Sequence, residues 1–364
     1  MKVVTVGIRG AGMSGLSVAR ELLRHEPRLK ISLFDTRPRL PHPLRTFCFF
    51  QTHDHIPQTM RHISWNTVMF RGASFERHVD VSSHPYTMIR GDDFFSSTLA
   101  ELEAKEVQFT WRCSRVEIAG NSIIADGRNV TFDTVIDAAF DVRVSQSMMW
   151  QSFAGVWITT ESPNFDPTVA VLMDLKESSA EAPVSFLYIL PISTRTALVE
   201  HTTFSPTPMH KNYHIDRCFE WIRENVGGEI HIGGTEAGVI PMGLHTSSTH
   251  QLAVGSSAGA VRPATGYAFV RAQEHARQVA RAILSLEPSP PAHYPHWLST
   301  ADGLFLRALL TTPERGREIM ERLLSRAHGE SLIAFLSGNV RLRDALEVCL
   351  SVPKRMMLRS LLRI

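Results

Sequence analysis

Apolar and polar positions divide this chain into stretches of different period. Residues 2–8 form an almost continuous apolar run, the pattern of a buried parallel strand, and 13–25 read as the helix that follows it. A second strand is predicted over 29–35. The Pro- and Arg-rich stretch Thr36 to Leu44 breaks the regular pattern, and residues 46–90 are rich in His, Phe and Thr with little periodicity. Phe94, Phe95, Leu99 and Leu102 recur at helical spacing, which predicts a helix over Gly91 to Lys105. Short strands with turn signals at Gly120-Asn121 and Asp126-Gly127 are predicted over 107–136, and Asp133 to Ala139 closes this half as another strand.

The period changes near Ser152. The runs Phe153–Ile158, Val169–Leu175, Val184–Leu190 and Thr196–Thr202 are strand-like, separated by Pro163, Pro167, Pro183 and Pro191. A helix is predicted over Asp216–Asn225, ended by Gly227-Gly228. Gln251–Gly255 reads as a strand, and a helix runs on to Leu284. A proline-rich linker spans Pro288 to Pro295, and 302–364 is helical, with boundaries at Thr312-Pro313 and Gly329. The expected architecture is α/β. Residues 1–90 and 91–150, completed by 235–287, would make a Rossmann-like nucleotide domain. Residues 151–234 would make an inserted antiparallel β-sheet domain for substrate, and 288–364 a helical C-terminal region.

Composition narrows the function. The chain has 364 residues, 43% apolar and 20% charged, enough for a large core. A net charge of +2 gives no reason to expect a nucleic-acid partner. Cys48, Cys113, Cys218 and Cys349 are far apart, which suggests a reducing compartment and no metal site. The first strand begins at Lys2, so no signal peptide is expected, and no apolar stretch is long enough to span a membrane.

The most specific local signal is Gly10-x-Gly12-x-x-Gly15 between the first strand and its helix, with Asp35 twenty positions after Gly15. Gly10 permits the tight turn, Gly12 lets backbone approach a pyrophosphate, and Gly15 lets helix and sheet pack closely. Asp35 stands where a carboxylate binds a ribose diol. A second glycine loop, Gly255 to Tyr267, leads into a long helix. Two such loops separated by over two hundred residues point to a flavin dinucleotide rather than to a nicotinamide cofactor alone. The expected contacts are Gly10, Ala11, Gly12, Met13, Gly15, Asp35, Thr36 and Arg37 from the first region, and Gly255, Arg262, Pro263, Thr265, Gly266 and Tyr267 from the second.

Further motifs carry a resemblance. They are Gly-Ala-Gly-Met-Ser-Gly (10–15), Thr-Phe-Cys-Phe-Phe (46–50), Phe-Asp-Pro-Thr (165–168) with Leu-Met-Asp (172–174), Phe-Leu-Tyr-Ile-Leu-Pro (186–191) with Ala-Leu-Val-Glu-His-Thr-Thr-Phe-Ser (197–205), Arg-Pro-Ala-Thr-Gly-Tyr (262–267) and Leu-Arg-Asp-Ala-Leu (342–346). With them the chain resembles the flavin-dependent lycopene cyclases that make β-rings. That resemblance implies an FAD-binding fold of the aromatic-hydroxylase and glutathione-reductase type, and reduced FAD required without net turnover. It also implies a carotenoid or other polyprenyl substrate. The pattern departs in places: Glu200-His201 stands where the family usually has two acidic residues, and Arg262 where it usually has a His.

The implied reaction protonates a terminal alkene, closes a ring on the tertiary cation and loses a ring proton. It needs a carboxylic acid kept neutral in a dry pocket. Glu200, ending an apolar strand, is the leading candidate. Asp174 is a second choice, and His201 a group to orient Glu200 or take a proton. Asp166, before Pro167, is a weaker candidate with the pattern of a turn residue. An apolar substrate implies a membrane surface. Lys354 to Ile364 is basic and amphipathic, with Arg355, Arg359 and Arg363 on one stripe, so the expected location is cytoplasmic and peripheral to a membrane. A cyclase of another prenyl substrate, a redox flavoenzyme such as a monooxygenase or isoprenoid reductase, and a non-catalytic prenyl-binding flavoprotein remain open. No pattern addresses oligomeric state.

Overall fold

The structure is a computed structural model and describes residues 4–40, 45–51, 60–140, 149–176, 181–243, 250, 252–285 and 294–351. Strand β1 (Thr5–Arg9), helix α1 (Met13–His25) and strand β2 (Lys30–Phe34) come first. They are followed by β3 (Phe47–Phe50), β4 (Ile63–Trp65), β5 (Thr67–Arg71), β6 (Glu76–Asp80), β7 (Tyr86–Ile89) and α2 (Gly91–Ala104). Next come β8 (Gln108–Thr110), β9 (Val116–Ala119), β10 (Ser122–Ala125), β11 (Arg128–Thr131) and β12 (Thr134–Asp137). The long strands are β13 (Met149–Thr160), β14 (Val169–Asp174), β15 (Val184–Pro191), β16 (Thr196–Ser205) and, after α3 (Lys211–Asn225), β17 (Ile230–Met242). Helices α4 (Phe269–Ser285), α5 (His296–Thr311), α6 (Gly316–Arg326), α7 (Gly329–Ser337) and α8 (Leu342–Ser351) complete the described order.

A parallel sheet, ordered β12-β1-β2-β8, carries the glycine turn at the end of β1. Its strands are apolar because both faces are covered. Leu16, Leu22 and Leu23 of α1 pack with Val279 and Ala280 of α4 and with Leu99 and Leu102 of α2. Phe34, Ile123, Phe132 and Val135 form a separate cluster with the β9–β11 meander. Gly15 is required by close approach: a Cβ there would lie 2.0 Å from the carbonyl oxygen of Gly10.

The second sheet has seven strands in the order β17-β13-β16-β15-β14-β5-β6, antiparallel except for β14 with β5. It draws on three stretches of chain rather than on 151–234 alone. Residues 67–80 supply β5 and β6, and β17 runs unbroken to Met242, past the expected boundary. Strand β16 is buried along nearly all its length, and its alternation sets the two faces. Ala197 and Val199 pack with Cys218, Trp221 and Ile222 of α3. On the other face, Leu198 and Phe204 join a core with Leu306 of α5, Ile319 and Leu323 of α6 and Leu332 of α7. The small sheet β3-β7-β4 lies beside this core.

The expected strand over Gln251–Gly255 is reduced to one bridge, Asp137 with Ala253, because the backbone turns at Gly255 into a short 3-10 segment. Residues 46–90, without evident periodicity, hold five strands. Among the described residues no helix is long and apolar enough to cross a membrane. The basic Lys354 to Ile364 segment lies outside the described residues.

Gly15→Ala should lower stability by about 1–3 kcal/mol, since the methyl group has to displace backbone of the β1–α1 turn. Urea unfolding checks this, with an unchanged midpoint counting against the packing described.

Candidate active site

A cavity of about 360 Å³ lies between the seven-stranded sheet, the β3-β7-β4 sheet, the second glycine loop and helices α5 to α7. Nucleotide-domain residues Met13, Ser256, Thr265, Gly266 and Tyr267 line it on one side. Phe70, Leu172, Phe186, Phe204, Phe335 and Leu336 give it apolar walls.

One row of residues crosses the seven-stranded sheet into this space. Tyr188 on β15 pairs with Glu200 on β16, Glu200 pairs with Gly155 on β13, and Gly155 pairs with Glu236 on β17. Directly opposed residues share a face, so both carboxylates flank the glycine. A Cβ at position 155 would lie 2.7 Å from Leu198 Cδ1, 3.2 Å from Glu200 Cβ and 3.5 Å from Glu236 Cγ. Only glycine leaves this gap without displacing a neighbour.

The two acids differ in support. Glu200 is 8% exposed and lines the cavity, and its Oε1 accepts from Thr202 Oγ1 at 3.2 Å. Burial, then the charge of Glu236, raises its pKa well above the ordinary glutamate range. Glu236 is 2% exposed and accepts three bonds: from the Thr46 amide at 3.2 Å, Thr46 Oγ1 at 2.8 Å and Trp157 Nε1 at 3.2 Å. Burial also raises Glu236, but these donors and Arg90 oppose the rise. The pair therefore titrates as a unit, with Glu200 the better holder of a proton.

Beside them the hydroxyls of Tyr86 and Tyr188 are hydrogen-bonded, with Tyr267 Oη 3.4 Å from Tyr86 Oη. Burial raises all three phenols, and it pushes the nearby Cys48 thiol up to about 12, so these groups stay neutral. They supply polarity and ring faces without charge.

Other expected catalytic residues lie elsewhere. His201 follows Glu200 on the strand and so points to the opposite face. Its Nδ1 is 2.9 Å from His214 Nδ1 on α3, and its Nε2 2.8 Å from Ser185 Oγ. Burial first, and then each other's proximity in the case of His201, hold these rings down to about 3 and about 4, so both are neutral. His201 does not orient Glu200. Asp174, also buried, is bound by Arg71 Nε at 2.7 Å and is absent from the cavity lining. Asp166 accepts from Thr168 in a turn, as its sequence pattern suggested. Arg262 is fully buried and turns away from the cavity: Asp302 of α5 holds it at 3.1 and 3.2 Å, and its guanidinium lies 4.5 Å from the Phe335 ring. It joins the second glycine loop to the C-terminal helices instead of facing a cofactor.

The first loop has features that suit a dinucleotide. Helix α1 begins after Gly12 with no side-chain cap, so its first N–H groups are available to an anion. The nearest atoms to a Cβ at Gly12 would be those of the Arg37 guanidinium, at 3.1 Å. Asp35 accepts from the Ala11 amide at 2.7 Å and from the Arg37 amide and guanidinium at 2.6–3.0 Å. Burial pushes its carboxyl up, but these bonds outweigh burial and hold it below the usual range. In this arrangement Asp35 braces the turn, and bonding a ribose diol requires Arg37 to release one of its contacts. At the second loop, Thr265 Oγ1 and Gln151 Oε1 are buried beside the cavity with no hydrogen-bond partner among the described residues. Open backbone, a basic side chain and unpaired polar atoms fit a flavin dinucleotide lying between the two loops.

Glu236 and Tyr86 were not singled out from sequence. Glu236 sits in Gly233-Gly234-Thr235-Glu236-Ala237-Gly238, whose glycines hide the strand. The signal available was the pair of apolar runs that bracket it, Ile230 with Ile232 and Val239 to Met242.

Comparison with known proteins gives three findings. A family model described as "Lycopene cyclase protein" matches residues 4–362. A chloroplastic lycopene beta cyclase of Arabidopsis thaliana is 25% identical over 322 residues, 80% of this chain and 62% of that protein. A chloroplastic neoxanthin synthase of Solanum lycopersicum is 23% identical over 307 residues, 76% of this chain and 60% of that protein. The chain thus spans about 60% of the length of these curated relatives. Among solved structures, a geranylgeranyl bacteriochlorophyll reductase-like protein from Thermoplasma acidophilum aligns with a TM-score of 0.62 at 13% identity, covering 99% of this chain and 98% of that one. A flavin-dependent halogenase from Xanthomonas campestris aligns at 0.58 and 10% identity, covering 99% and 95%. These two likenesses show the fold that this chain shares with them.

Arg262→Met leaves Asp302 buried and unpaired and should cost about 3–5 kcal/mol, and adding Asp302→Asn should recover part of that loss. Denaturant unfolding of both variants checks the coupling.

Proposed function

The chain belongs to the lycopene cyclase family, and from that membership we propose that it closes a terminal ring on an apolar carotenoid-type polyene, lycopene being the substrate the relatives' names suggest. The observation that carries this reading is a neutral carboxyl, Glu200, buried in an apolar cavity. The α1 N-terminus and Arg37 on one side and Thr265 and Gln151 on the other would hold FAD, which in its reduced form would supply an electron-rich ring system able to steady positive charge.

Glu200 gives its proton to the terminal trisubstituted double bond. The next double bond of the substrate attacks the resulting tertiary cation, which forms the ring C–C bond. The Glu200 carboxylate left by that donation then takes a ring proton, which restores a double bond and returns Glu200 to its protonated form. Electrons and atoms balance, so the reaction is an isomerisation. The apolar walls exclude water that would quench the cation, and the phenol faces of Tyr188 and Tyr86 steady it without becoming bases. Proton donation requires Glu200 to be protonated, so turnover holds below its raised pKa and falls as pH rises through it.

Glu200→Gln should reduce turnover by about 10²–10⁴-fold with flavin content unchanged. Anaerobic assay of dithionite-reduced protein with lycopene, products separated by chromatography, measures this. Cyclisation at the unaltered rate would remove Glu200 from the role.

The same reading includes docking on an anionic membrane. Helix α8 leaves Leu342, Leu346 and Leu350 exposed by 61%, 57% and 64%, while Ala345 and Val348 face inward. The sequence beyond it carries Lys354, Arg355, Arg359 and Arg363 with no acid. Changing the three leucines to serine should lower sedimentation with phosphatidylglycerol vesicles at least about tenfold, since each buried leucine contributes 1.5–3 kcal/mol. Equal sedimentation would exclude this face.

A further inference from the structure

The family pattern usually carries a second acidic residue beside Glu200, and here position 201 is a histidine on the opposite face of the sheet. We propose that Glu236 takes that place: it faces Glu200 across Gly155, and the donors that hold it favour its ionised form over that of Glu200, which keeps the proton on Glu200. The inference rests on the cyclase reading and supplies what controls its acid.

Three observations carry it. The first is register. Glu200 and Glu236 are both cross-strand partners of Gly155, on the strands either side of β13. The second is the glycine itself, since a methyl group at 155 would press on Leu198 and crowd the Glu200 side chain, with Glu236 Cγ in contact at 3.5 Å. The third is an asymmetry of donors. Thr46 and Trp157 give Glu236 three hydrogen bonds, whereas Thr202 gives Glu200 one. Donors stabilise the ionised form, so one shared proton resides on Glu200, the member that lines the cavity. Glu236 is outside that lining and acts through Glu200, which makes it a positioning residue.

The charged and titratable groups that face Glu236 come from several elements. Arg45 precedes β3 and Cys48 lies on it, Arg90 precedes α2, and Glu200 lies on β16. The Arg90 guanidinium lies 5.0 Å from the Trp157 ring, whose Nε1–H donates to Glu236. The two arginines favour the charge on Glu236. The Cys48 thiol, pushed up to about 12, stays neutral and leaves the balance to the two acids.

The test is the pH dependence of turnover in flavin-loaded, reduced Glu236→Gln, whose amide oxygen can still accept from Thr46 and Trp157. Losing the charge should move the alkaline limb down by about one pH unit or more, so that turnover one unit above the original limb falls about tenfold. Glu236→Asp, which keeps the charge, should restore most of the limb. The infrared carbonyl band of a protonated carboxyl, absent in Glu200→Gln, should titrate away at lower pH in Glu236→Gln, and this needs no turnover. Uniform loss of rate with an unmoved limb, or a band whose titration is unchanged, overturns the proposal. Full activity in Glu200→Gln would instead remove Glu200 as the acid, and absence of any ring-closed product from the unaltered, flavin-loaded protein would defeat the cyclase reading, so the failures are distinguishable.

Discussion

Two carboxyl groups face one another in the interior of this protein, and much of the surrounding structure follows from that juxtaposition. Burying one ionised carboxylate is expensive, and burying two side by side is worse unless they share a proton or gain donors. The seven-stranded sheet meets that constraint by register. It puts both acids beside a glycine, and it brings Thr46 and Trp157 within reach of one acid and leaves the other facing apolar walls. The resulting inequality makes one acid a proton holder and the other a charge. The same chemical group thus takes two roles through its surroundings alone.

Keeping that proton off water depends on closing the cavity from the C-terminal side. Helices α5 to α7 do this with Phe305, Met320, Leu323, Phe335 and Leu336. They are tied to the second glycine loop by the buried pair Arg262 and Asp302 and by the stacking of Arg262 on Phe335. An Arg–Asp pair taken wholly out of water is a poor source of net stability but a directional one. It fixes the loop that presents Thr265, Gly266 and Tyr267 against the helix that presents Phe335 and Leu336. The nucleotide side and the substrate side of the cavity are therefore positioned by one contact, remote from the chemistry.

The nucleotide half was legible in sequence because its signals are local. An apolar run, a glycine turn and an acid at a set distance need no knowledge of the rest of the chain, and α1 appeared where its pattern put it. Strands β14 to β16 were also plain, since apolar runs between prolines say strand whichever partner they find. The region 46–90 was opaque for a physical reason. The strands described there are only three to five residues long, too short to show a period, and β5 takes its place in the large sheet beside β14, about a hundred residues away. Strand β17 was hidden differently, by Gly233, Gly234 and Gly238, which interrupt its apolar alternation. Arg262 misled because its motif sits in a cofactor loop while its side chain leaves that loop for Asp302.

The histidine at 201 shows how strand parity decides which departures from a family pattern matter. Adjacent residues on a strand face opposite ways, so a group next to Glu200 enters the space between the sheet and α3 rather than the cavity. In this chain that space holds His214, Cys218 and Ser185, and both imidazoles are kept neutral by burial. A carboxylate at 201 would need charge compensation there, and a neutral imidazole bonded at both ring nitrogens does not. The exchange of acid for histidine is thus absorbed by α3 and leaves the cavity's own acids, one on β16 and one on β17, unaltered. What governs the chemistry is the row of residues across the sheet, and position 201 is not in that row.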